Sequence, residues 1–99
     1  MSGFQMSLRS LSPALYEYII NQFLEQYHIH SYDIQVLGVK TETGIQVIVK
    51  YGETFSHESE QHFTFEALKN KDILNTFIQE TGEACKKVMI DDYFRTMTP

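Results

Sequence analysis

The chain of 99 residues has the length of one domain and leaves no room for two. Apolar residues make up 42% and charged residues 21%, the balance of a globular chain rather than a disordered one. With 8 Lys and Arg against 13 Asp and Glu the net charge is −5, which excludes a general binder of phosphate backbones, because such binding needs clustered cations.

Residues 1–11 read as a flexible tail before a single domain spanning 12–99. The segment has one basic residue, Arg9, and no continuous apolar run, so it does not read as a secretory leader. No later stretch approaches the ~18 to 20 apolar residues of a membrane span. One cysteine, Cys85, leaves no internal disulfide, and a lone thiol fits a reducing compartment. A cytoplasmic location with no membrane partner is the expectation.

Ser12–Pro13 reads as a helix start, since Ser accepts a bond from an orphan amide and Pro lacks an amide that would go unpaired. Leu15, Tyr16, Ile19, Ile20, Phe23, Leu24 and Tyr27 then recur at three- and four-residue spacing, with Glu17, Asn21, Gln22, Glu25 and Gln26 opposite. That pattern predicts one amphipathic helix from Pro13 to Tyr27.

After the connector His28–Asp33 the period changes to two. Ile34, Val36 and Gly38 alternate with Gln35, Leu37 and Val39; Thr41–Gly44 supplies a turn; Ile45, Val47, Val49 and Tyr51 alternate with Gln46, Ile48 and Lys50. Setting Lys40 opposite Ile45 pairs Gly38 with Val47, Val36 with Val49 and Ile34 with Tyr51, which collects the apolar set on one face. A third strand follows. Its turn falls either at Gly52–Thr54 or at His57–Glu60, and both versions place Phe55, Phe63 and Phe65 on the core side.

Asn70 or Asp72 is placed to cap a final helix. Its buried stripe is Ile73, Leu74, Phe77, Ile78, Thr81, Ala84, Cys85, Val88 and Met89, and it keeps phase across Gly82. The predicted fold is therefore α+β in the order α-β-β-β-α: an N-terminal helix, a three-stranded antiparallel sheet and a long C-terminal helix.

Two features do not close within one such domain. Leu37, Val39 and Ile48 project from the sheet face opposite the main core set, where an antiparallel sheet covered on one side carries polar residues. The last helix, taken from Lys71 to Thr96, runs about 39 Å at 1.5 Å per residue. Eight-residue strands cover only about 27 Å at 3.4 Å per residue. Ile90, Tyr93, Phe94 and Met97 thus fall on an overhang. These seven residues form the candidate interface, with a second copy of the chain or another protein as partner. The leading expectation is a non-enzymatic homodimeric contact module.

The alternative is a small-molecule carrier or sensor. Its pocket would lie between helices and sheet, lined by Tyr16, Phe23, Tyr27, Tyr51, Phe55, Phe63 and Phe65. An acidic mimic of nucleic acid is a third possibility, for which −5 is a weak charge.

No catalytic, cofactor or metal site is expected. His57–Glu58–Ser59–Glu60–Gln61–His62 has the composition of a zinc site, but on a strand His57 and His62 point to opposite faces, and only a turn at 58–61 unites them. His28 follows a helix C-terminus, where the macrodipole favours it. Cys85 lies on the buried stripe, with no spacing that supplies a base. Asp91–Asp92 are unfavourably placed near a helix C-terminus, which points to an offsetting cation or partner base, with Arg95 and Lys87 of the same chain as candidates. Phosphate-cradling loops and nucleophile elbows are absent.

Overall fold

The computed structural model describes the chain from Gln5 to Met97, and its side chains as far as Tyr93. The elements are β1 (Met6–Ser7), α1 (Leu8–Leu11), α2 (Pro13–Tyr27), β2 (Gln35–Lys40), β3 (Gly44–Tyr51), β4 (His57–Thr64) and α3 (Lys71–Met97). The four strands form one antiparallel sheet in sequence order.

The expected three-stranded sheet is corrected here. Residues 6–11, read as part of a tail, supply a fourth strand and a helical turn. Met6 pairs with Gly38 and Ser7 with Leu37, and Leu8 is fully buried. A two-residue strand shows no periodicity, so nothing in its own sequence announces it. The room for α1 comes from Gly38, where a Cβ would lie 2.9 Å from Leu8 Cδ1 and 3.0 Å from Leu11 Cδ2.

Helix α2 has the predicted limits. Ser12 stands at its N-cap without a side-chain capping bond, Pro13 follows at the first position, and His28 ends it in the left-handed region at φ 56°. Leu15, Ile19 and Phe23 are buried, whereas Leu24 is exposed.

The β2–β3 hairpin has the register read from the alternation, with Val36 opposite Val49, Gly38 opposite Val47 and Lys40 opposite Ile45. The β3–β4 connection is longer than either expected turn. It occupies residues 52–56, and Tyr51 pairs with His57. Two extra loop residues leave the face of each strand residue unchanged, because side chains alternate with period two. Phe63 therefore points into the core, where it is fully buried. Phe55 and Phe65 do not. Phe55 lies in the turn at φ 55°, and Phe65 follows the last paired residue, its amide donating to the Thr43 carbonyl. Both rings are exposed.

Helix α3 is continuous through Gly82. Asn70 caps it, its Oδ1 accepting the Asp72 amide at 2.9 Å. Gly82 makes room for the first long helix rather than for the sheet, since a Cβ there would meet the Tyr27 ring at 2.6 Å. The Tyr27 hydroxyl donates to the Gln79 carbonyl at 3.3 Å. Tyr18 and Asn75 link the same two helices through their side chains, and Lys71 Nζ lies 4.6 Å from the centre of the Tyr18 ring.

One core holds the layers together. It unites Leu8, Leu15, Ile19 and Phe23 with Val36, Ile45, Val47, Val49 and Phe63 of the sheet and with Leu74, Phe77, Ile78 and Cys85 of α3. Phe63 and Phe77 meet edge to face, 5.5 Å between centroids. No helix among the described residues is long and apolar enough to cross a membrane.

Candidate functional site

The far face of the sheet bears Leu37, Val39 and Ile48, as the alternation requires. Val39 and Ile48 are nevertheless buried, 7% and 2% exposed, although neither belongs to the main core cluster. The register explains the setting of Ile48. Leu37 and Glu60 stand directly across from it, and Gln46 and Lys50 stand two residues away along its own strand. Long side chains thus flank Ile48 across and along the strand, and with Ile48 and Val39 buried the face offers a partner less apolar area than the residue types suggest.

The end of α3 is different. Asp92 Oδ2 accepts the Glu53 amide at 3.2 Å, and Val88 lies beside Gly52, so the helix is fixed to the β3–β4 turn almost to its end. The expected two-turn overhang is correspondingly shorter. The hydrogen-bond partner of Asp92 is thus a backbone amide and not the expected cation. Ile90 and Tyr93 of this end are 51% and 59% exposed. Phe94 and Met97 lie beyond the residues whose side chains are described.

The seven aromatics of the expected pocket differ in their settings. Phe23, Tyr51 and Phe63 are packed in the core, Tyr16 and Tyr27 lie against it, and Phe55 and Phe65 are exposed. A cleft of about 280 Å³ exists elsewhere, where β1 ends and β2 runs on. Of the seven only Tyr16 lines it, together with Ser7, Ile34, Gln35, Val36 and Leu37.

The histidines are placed by ordinary contacts. β4 passes straight through 57–64, so the turn that would unite His57 and His62 does not form. His57 stacks on Tyr51 with centroids 5.8 Å apart, and His62 Nε2 lies 2.8 Å from Thr41 Oγ1. His30 stacks on Tyr32, and its amide donates to Asp33 Oδ2 at 2.9 Å. Among the described residues no group of three or more His, Cys, Asp or Glu could hold a metal ion. Cys85 is a core residue. Burial, reinforced by the negative charge of Asp33 and opposed by Lys86, pushes its thiol up to about 11. A thiol in that state is protonated at neutral pH and is a poor nucleophile.

The sequence reading missed the outer edge of β4. Eight consecutive residues pair with β3 on one side, and among the described residues β4 is the last strand of the sheet on the other. The signal was present in the run His57–Thr64, which contains no Pro, Gly or Lys. It could not be recognised as an edge until the strand order was known.

No protein-family description, curated protein or solved structure matches the chain.

Proposed function

We propose that the protein is a non-enzymatic module that acts through protein contact, and that its first partner is a second copy of itself. The observation that carries this reading is the exposure of Ile90 and Tyr93 at a place where the helix backbone is already anchored by Asp92. Large apolar side chains held on a fixed element offer a partner a preformed surface, and ordering costs are small there. Closed two-fold dimers are the commonest assemblies of soluble chains. The high thiol pKa of Cys85 and the scattered placement of the histidines support a role without covalent or metal chemistry. A cytoplasmic setting accords with a lone buried thiol.

Light scattering coupled to gel filtration tests the reading. The wild type is expected to elute as a dimer, and Ile90→Ala with Tyr93→Ala to shift it toward monomer while the far-ultraviolet circular dichroism is retained. A wild type that stays monomeric at high concentration ends the proposal.

A further inference from the structure

We infer that two copies of the chain join edge to edge along β4, in the antiparallel register that sets Gln61 opposite Gln61 of the second copy and Glu60 opposite its His62. The inference rests on the self-association proposed above and names the surface that performs it. An edge strand presents a row of unpaired N–H and C=O groups, and natural sheets protect such rows with short strands, bulges, Pro or Lys. β4 has none of these. Its eight residues pair with β3 in an unbroken register, and they are exposed except at Ser59 and Phe63. Only Glu58 and Glu60 stand guard, both on the face away from the helices.

Charge selects the register. A two-fold axis between identical antiparallel strands places one residue opposite itself, and residues that face each other across the join share a sheet face. Centring on Ser59 sets Glu58 against Glu60 twice, and centring on Glu60 sets that carboxylate against itself. Centring on His62 opposes two imidazoles and brings Glu58 to Glu66. Centring on Gln61 pairs Glu60 with His62 twice and Glu58 with Thr64, so no like charges are opposed. Directly opposed unlike groups stabilise a sheet and like charges weaken it. The His62 ring is already held at Nε2 by Thr41, which leaves Nδ1 for the second copy.

The same register gathers apolar side chains that are exposed in the single chain. α3 runs antiparallel to β4, with Phe77 on Phe63 near its start and Asp92 on Glu53 near its end. Two-fold pairing therefore brings the Ile90–Tyr93 end of one copy alongside the Phe65 and Ile73 end of the other. All four residues are among the exposed large apolar ones.

Cysteine placement tests the join. Directly opposed residues of an antiparallel pair have Cα atoms about 4.5–5.5 Å apart, inside the range a disulfide spans. Gln61→Cys is expected to convert to a covalent dimer under mild oxidation on non-reducing electrophoresis, while Ser59→Cys, on the same face but off the axis, stays uncross-linked. Gln61→Lys, which opposes two cations at the axis, is expected to shift the protein to monomer by light scattering with its melting curve retained. A wild type that is dimeric, with no cross-link through position 61 and a dimeric Gln61→Lys variant, overturns the β4 join and leaves self-association standing. A wild type that is monomeric by scattering overturns the self-association itself.

Discussion

The two edges of the sheet are built in opposite ways. At one edge β1 pairs for two residues and the chain then turns into α1, whose Leu8 and Leu11 close over Gly38. The described strand is too short to serve as a template. At the other edge β4 pairs for eight residues, and among the described residues no further strand pairs beyond it. A fold that ends one edge in a two-residue strand and the other in an eight-residue one is polarised, and the long edge is where a second sheet adds at least cost in rearrangement.

Removing the anchor of either edge tests this contrast. The largest effect is expected at the open edge, where Phe63 is the one fully buried residue of β4 and packs on Phe77. Phe63→Ala should lower the unfolding free energy by roughly 3–5 kcal/mol in urea titration, the usual cost of deleting a buried ring. Because the same change loosens β4, it should also weaken any dimer, which dilution of the variant in the scattering experiment reads. Leu8→Ala should cost roughly 2–5 kcal/mol, with the lower half of that range expected because α1 is a single turn able to settle into the space left. Its specific signature is faster amide exchange in β1 and at the middle of β2, with β4 protection unchanged. Equal loss of protection at both edges would show that they are not independent.

The smallest expected effect concerns Cys85, whose side chain reports on the core beneath both edges. Its raised thiol pKa means that the folded state holds the neutral form where the unfolded chain has begun to ionise. That contribution to stability is complete below the ordinary value of 9.0 and is lost as pH rises toward about 11. Thiol reagents should accordingly react with the native protein only as fast as the core opens, and Phe63→Ala should speed the reaction more than Leu8→Ala does. Rapid labelling of the wild type at neutral pH would contradict the burial.

Much of the fold was legible because it rests on periodicity. The limits of α2, the register of β2 on β3 and the continuity of α3 all follow from where apolar side chains recur. The candidate site was legible only in part. Ile90 and Tyr93 are exposed as the overhang argument expects, but the chain beneath them is pinned by Asp92, a contact between residues 39 positions apart that no local pattern announces. Val39 and Ile48 look like outward surplus in sequence and are buried in the structure; for Ile48 the register sets Leu37 and Glu60 directly across from it.

The amino-acid order alone determined which residues lie on which face of each helix and strand, since the 3.6 and 2.0 periods are set by backbone geometry and need no partner. Tertiary structure alone decided that Met6–Ser7 is a strand, that Phe55 and Phe65 leave the core, and that β4 is an open edge. Each of these depends on what lies beside a segment rather than on what is in it. An edge is defined by a missing neighbour, and a missing neighbour is a property of the assembled sheet.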